Sequence, residues 1–352
     1  MFDKFKELIT QQPDVMTDLL NEPFYFESKA VGYHPNNAYS LARLAYLAYQ
    51  EEETIINSKL LSGFSFKKVI APDPMWITFN DIYSGISIRD TEAIIAENSE
   101  MEMVIVAFRG TQAKSLVDWI TDAHFRHSTK GSGGYGVHHG IYEALMSVWD
   151  QIKPYITKKE GRTLWFTGHS LGGGLAALAT ANCLFDQSLN IKPEQLRLYT
   201  YGQPKVGGED FIKAFNAKLK NQAFRLINNN DIVPLLPVSL SELPVQLPNL
   251  VNYLPKLSIE PLNLHTVIDY YHGGHFRQFD KNGILQDESF GFADRTADLI
   301  AGYLESFLKL GSGSLTLSGI TIERVDALGD HSMGKYVANL KQHRDEWETN
   351  NK

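Results

Sequence analysis

The run Thr163-Leu164-Trp165-Phe166-Thr167-Gly168-His169-Ser170-Leu171-Gly172-Gly173-Gly174 constrains this chain more than any other stretch. Its apolar first half reads as a strand, and Leu175-Ala176-Ala177-Leu178-Ala179-Thr180-Ala181 behind it reads as a helix of low bulk. Between them lies Gly-x-Ser-x-Gly, with glycine two residues before and two after Ser170. A serine on so sharp a strand-to-helix turn sits in a strained backbone conformation, and its flanking positions have to be small. The pattern and its context together predict a nucleophile elbow with Ser170 as the nucleophile.

Upstream, apolar positions at helical spacing in residues 3–22, interrupted by Pro13, predict two short helices. Residues 37–49 predict a stronger helix with a tyrosine stripe, which serves packing. Short β-rich runs follow at 66–70, 76–79, 85–89 and 93–96. The continuous apolar run Met103-Val104-Ile105-Val106-Ala107-Phe108 suits a strand buried on both faces. It exits into Arg109-Gly110-Thr111, a natural place for a backbone N–H aimed at a developing oxyanion. Residues 116–122 look like a short amphipathic helix, and 140–152 predict a helix that ends before Pro154. Beyond the elbow come a strand at 196–201, a helix at 208–219 and a strand at 224–227. This alternation predicts an α/β protein with a mostly parallel central sheet and helices on both faces. Asp231 lies just past the last of these strands, on the same carboxyl edge as Ser170.

Six prolines within residues 234–261 exclude a regular helix there, and the interleaved leucines and valines leave two readings open, burial against the body or an acyl-binding surface. A strand pair around Gly283, a helix at 293–308, a Gly/Ser loop at 311–314 and a terminal helix behind His331 complete the order. With 33 basic and 41 acidic residues, a net charge of −8 and no basic cluster, nucleic acid is excluded as a partner. The one cysteine, Cys183, reads as a small buried apolar residue. No signal pattern is visible at Met1 and no apolar run nears about 18 residues, so the chain reads as soluble, either cytoplasmic or exported by a non-classical route. The Gly-x-Gly-x-x-Gly at 131–136 has no strand before it and is a loop, not a dinucleotide site. His124, His127, His138 and His139 lack metal-ligand spacing.

Several pieces in a fixed order give the chain a family likeness. They are Phe108-Arg109-Gly110-Thr111 with Asp118-Trp119 and Asp122, Val137-His138-His139-Gly140, Gly168-His169-Ser170-Leu171-Gly172-Gly173, Tyr201-Gly202-Gln203-Pro204-Lys205-Val206-Gly207, Asn230-Asp231-Ile232-Val233-Pro234, and Asp330-His331-Ser332 with Tyr336. Across roughly residues 37–340 the chain resembles the class 3, fungal-type lipases of the α/β-hydrolase fold. The resemblance implies a triad of Ser170, Asp231 and His331, with Thr111 and the backbone N–H of Leu171 as oxyanion donors. It also implies a lid helix at residues 112–124 with Trp119 and Ile120 as its apolar face.

Rival readings give the base to His272 or His275, the orienting acid to Asp330, or a metal site to Asp269, His272 and His275. Neighbouring side chains diverge, which makes Asp330 a poor partner for His331, and two loop histidines with one carboxylate are more often hydrogen-bonded polar residues. The 100 residues between Asp231 and His331 hold what look like insertions, and the lack of a leader and of disulfide pairs departs from the secreted members.

The expected organisation is one α/β-hydrolase domain over 1–352 with an N-terminal helical extension (1–36), an apolar insertion (235–268) and a second insertion (311–327). The expected function is a serine carboxylester hydrolase acting on acylglycerol-type lipid esters through an acyl-enzyme intermediate, without cofactor or metal. A lipid ester is its expected partner, with transient contact at a lipid interface; the oligomeric state is not legible. Alternatives are a phospholipase A1 or soluble-ester esterase on the same triad and, more remotely, a non-catalytic lipid-binding protein of the same fold.

Overall fold

The computed structural model describes residues 18–71, 78–79, 82–83, 91–110, 127–128, 132–158, 161–229, 231, 233–237, 270–286 and 329–351. Its centre is an eight-stranded sheet of β1 Ser65–Ile70, β2 Glu92–Asn98, β3 Met103–Phe108, β4 Thr163–His169, β5 Leu196–Tyr201, β6 Ala223–Asn228, β7 His275–Phe279 and β8 Leu285–Gln286. Spatial order equals chain order. Strands β3 to β7 run parallel to one another, and the pairs β1/β2, β2/β3 and β7/β8 are antiparallel. The mostly parallel sheet expected from the sequence is what the chain forms.

Helices α1 Pro35–Leu47, α2 Glu52–Asn57, α3 His139–Thr157, α4 Leu171–Phe185, α5 Glu209–Leu219 and α6 Met333–Asn350 accompany it. Three of them, α3, α4 and α5, are the crossovers between β3 and β6. Each crossover steps one strand in the same direction, and crossovers share one hand, so all three are laid on one face. The other face is covered by α1 and α6, which pack on each other.

The strands serve both layers by simple alternation. Val104, Val106 and Phe108 of β3 join the core under α3 to α5, whereas Met103, Ile105 and Ala107 join the core under α1 and α6. Trp165 of β4 lies in the second core with Phe26 edge-on at 4.7 Å and Tyr199 stacked at 6.2 Å. Cys183 is buried.

Two helices depart from the sequence expectation by two residues or more. Helix α1 begins at Pro35, whose fixed φ suits the first helical position, and ends at Leu47. Helix α3 continues through Pro154 to Thr157, where buried Ile156 docks the last turn. A proline there forfeits only one hydrogen bond near the end of a long helix.

Of the helices expected in 3–22, residues 18–20 are helical and the rest lie outside the described residues. The readings at 85–89, 112–124, 238–268, 293–308 and 311–327 also lie outside them. Residues 235–237, the start of the apolar segment, are buried, and Lys205 N donates to Leu236 O. Among the described residues no helix is long and apolar enough to cross a membrane.

The segment ahead of α1 is laced to it by polar side chains. Arg43 is fully buried, and its guanidinium donates to the carbonyls of Leu19, Glu22 and Pro23. Asn37 exchanges two hydrogen bonds with the Glu27 backbone, and Ser40 Oγ donates to Tyr25 O. Replacing Arg43 by leucine strands three carbonyls at about 1 kcal/mol or more each. We therefore expect Arg43→Leu to lose about 3 kcal/mol in urea unfolding, with an unchanged m-value.

Candidate active site

Between β4 and α4 the chain turns on Ser170, whose φ of 57° and ψ of −131° lie in a region that non-glycine residues avoid. Such a conformation costs roughly 1–3 kcal/mol and persists only where its surroundings enforce it. Ser170 N donates to Tyr201 O on β5 at 2.9 Å, and the amides of Gly173 and Gly174 donate to Ser170 O. The flanking glycines are required by contact, not by φ. A Cβ on Gly168 would lie 2.2 Å from Gly172 O, and one on Gly172 would lie 2.4 Å from Phe108 O at the end of β3.

Serine commonly caps a helix with its hydroxyl. Here Ser170 precedes α4 without capping it, and the buried Oγ makes no hydrogen bond among the described residues. Leu171 opens α4, so its amide belongs to the first turn, where amides lack helical partners.

Asp231 follows β6 and His331 precedes α6, and the fold brings them together across 100 residues. His331 Nδ1 lies 2.9 Å from each carboxylate oxygen of Asp231. Asp231 is 3% exposed and His331 5%. Oδ1 of the acid also accepts the Val233 amide at 2.9 Å, and Oδ2 accepts the Tyr336 hydroxyl at 2.6 Å. Burial, and after it the charge of Asp231, pushes the Tyr336 phenol well above its ordinary range, so it stays a donor. With its Nδ1–H directed at the carboxylate, neutral His331 presents a bare Nε2, which makes no hydrogen bond among the described residues.

The His331 loop is fastened to the end of β6. Asn228 N donates to the Tyr336 hydroxyl, Asn228 Nδ2 to Asp330 O, Asn339 Nδ2 to Asn228 Oδ1, and Asn229 Nδ2 to Asp330 Oδ2. Gly202, with φ +56°, leaves room for the pair: a Cβ there would be 2.6 Å from Asp231 Oδ2 and 2.9 Å from His331 Nδ1. His169 completes the surround, its ring 4.5 Å from that of His331 and its Nε2 2.8 Å from His331 O.

The rivals point elsewhere. His272 Nε2 donates to Pro234 O at 2.7 Å, and His275 Nε2 pairs with Lys220 O at 2.9 Å. Asp330 accepts from Lys335 Nζ at 3.0 Å and from Asn229, with its carboxylate turned to those groups. His138 Nδ1 accepts the Ile141 amide at the start of α3. Thr111, Trp119, Ile120 and Asp269 lie outside the described residues.

Sequence reading did not give Tyr336 its part as a hydrogen-bond donor to Asp231, and it gave no role to Asn228, Asn229, Gly202 or the ring of His169. The signal for the asparagines was present: three of them in succession at the exit of an apolar strand, one of which, Asn229, has φ +37°.

Residues 105–240 match the family described as Lipase (class 3). A lipase of Caenorhabditis elegans is 26% identical over 219 residues, which is 57% of this chain and 58% of that protein. The Lipase of Rhizomucor miehei is 33% identical over 206 residues, 53% of this chain and 54% of that protein. The chain thus spans little more than half the length of these relatives. The solved structure of the Rhizomucor miehei triacylglyceride lipase superposes with a TM-score of 0.47 at 20% identity, over 73% of this chain and 90% of that one.

Two histidines of the region are held neutral. Burial, and then the neighbouring His331, lowers the pKa of His169 well below the ordinary 6.5; burial, and then Arg225 and Lys205, does the same for His272. In the unfolded chain both take up protons near pH 6.5, so below that pH the unfolded state binds more protons and stability falls as pH falls. The slope is roughly 1.4 kcal/mol per pH unit for each histidine. Urea unfolding at pH 7.5 and 5.5 will show the loss, and His272→Gln, which retains a donor for Pro234 O, will show a shallower one.

Proposed function

We propose, for a chain that belongs through residues 105–240 to the class 3 lipases, a serine carboxylester hydrolase that cleaves acylglycerol-type lipid esters through an acyl-enzyme. Ser170 Oγ attacks the ester carbonyl carbon as its proton passes to His331 Nε2. Asp231 holds the ring with its hydrogen on Nδ1 and stabilises the imidazolium, remaining a carboxylate throughout. The Leu171 amide and Thr111 stabilise the oxyanion of the tetrahedral intermediate. Collapse breaks the bond to the alcohol oxygen, which takes the proton from His331 Nε2, leaving the acyl group on Ser170. Water, deprotonated by the same nitrogen, then releases the carboxylic acid and restores the serine.

The observation that carries this reading is the two-oxygen contact of Asp231 with His331 Nδ1 beside a strained, uncapped serine. A binding protein has no use for that combination. Hydrogen bonds between nucleophile and base are often long in a free enzyme and tighten when substrate arrives, so the unbonded Ser170 hydroxyl and His331 Nε2 are in keeping with it. The acylglycerol preference rests on the relatives, among them the lipase of Rhizomucor miehei. By the sequence resemblance, residues 112–124 hold the place of the lid, with Trp119 and Ile120 as its apolar residues.

A fluorophosphonate will label the wild-type chain on Ser170, and Ser170→Ala will abolish labelling and lower kcat by more than about 1,000-fold. A folded wild type that stays unlabelled, or equal labelling of the alanine variant, removes the hydrolase reading. Hydrolysis of acylglycerol, phospholipid and short-chain esters below and above their aggregation limits then assigns the substrate. A rate increase on aggregated acylglycerol is the expected result, and equal rates on dispersed short-chain ester favour an esterase.

A further inference from the structure

Two side chains with no part in the proposed proton transfer meet beneath the elbow. Tyr49, just past α1, has its hydroxyl 2.9 Å from His169 Nδ1. The same hydroxyl lies against Gly110, where a Cβ would come within 2.1 Å of it. On the far side of the ring, His169 Nε2 is 2.8 Å from the carbonyl oxygen of His331.

A carbonyl can only accept, so Nε2 of His169 carries the hydrogen. The ring is 5% exposed and packed on His331, and it stays neutral. Its Nδ1 is therefore a bare lone pair, and the Tyr49 hydroxyl must donate to it. Each donor then has a single direction: Tyr49 O–H to His169 Nδ1, and His169 Nε2–H to His331 O. The chain starts at a hydroxyl seated against Gly110, one residue before Thr111, passes through the residue before Ser170, and ends on the backbone of His331.

We propose that Tyr49 and His169 are positioning residues, a hydrogen-bonded bridge that fixes the end of β3, which leads to the oxyanion donor, relative to the base His331. This rests on the hydrolase reading above. The bridge also keeps a second positive charge away from the base. When His331 becomes imidazolium, the neighbouring ring cannot compete for a proton while the Tyr49 hydrogen fills its Nδ1.

Tyr49→Phe removes one hydroxyl and leaves the packing intact. On a dispersed short-chain ester we expect kcat to fall about fivefold to tenfold with KM within about twofold, and fluorophosphonate labelling of Ser170 to slow in step. His169→Gln can present an N–H to His331 O and an oxygen to Tyr49, whereas His169→Phe presents neither, so glutamine will exceed phenylalanine in kcat among the folded variants. Two-bond proton–nitrogen NMR of the histidine rings will show His169 protonated on Nε2 and bare on Nδ1. A wild-type rate for Tyr49→Phe, equal rates for the two His169 variants, or a His169 protonated on Nδ1 overturns the bridge while leaving an active wild type explained. A wild type that neither hydrolyses esters nor labels overturns the hydrolase reading, and the bridge's purpose with it.

Discussion

The close approach of β4, α4 and the end of β3 is the constraint on which the setting of Ser170 depends. A methyl group at Gly168 or Gly172 would overlap backbone atoms at 2.2 Å and 2.4 Å, so the helix can leave the strand at this angle only with hydrogen on those carbons. Ser170 carries the resulting strain, and the carbonyl of Tyr201 on β5 holds it there. Because β3 to β6 run parallel, their carboxyl ends share one edge, and Gly110, Ser170, Gly202 and Asp231 share it too. An edge where parallel strands end is where such sheets bind and react.

What the elbow begins, a buried polar network completes. A carboxylate as enclosed as Asp231 is tolerable only when its lone pairs are filled, and three donors fill them: His331, Val233 and Tyr336. Tyr336 also accepts from Asn228, so one phenol ties α6 to both β6 and the acid. The position of His331 is thereby set by bonds to its neighbours in sequence, Asp330 and Tyr336, as much as by its own ring.

Much of this was legible because local signals were unambiguous. Met103 to Phe108 is continuously apolar and becomes a strand buried on both faces. Ser170 was identifiable from the glycines around it, although the reason those glycines are needed, contact across three elements, is visible only in the fold. Among the histidines, residue patterns left 272, 275 and 331 as competitors, and the choice depends on where α6 docks, a tertiary matter. Tyr336, Gly202 and His169 were named as parts of motifs and Tyr49 as part of a packing stripe, but their contacts were hidden for the same reason. Each acts on a group remote in sequence, 120 residues away for Tyr49 and His169, and neither periodicity nor propensity encodes such a meeting. The end of α3 was misjudged because proline was weighed as a breaker without the buried Ile156 that secures the turn beyond it.

The strands and the elbow precede α6 in the chain, and 100 residues separate Asp231 from His331. A ribosome adding about 5–20 residues per second delivers His331 roughly 5–20 s after Asp231. Throughout that interval the nascent chain holds Ser170 and Asp231 without His331. The proposed triad is therefore completed by its histidine, in the order in which the residues are made.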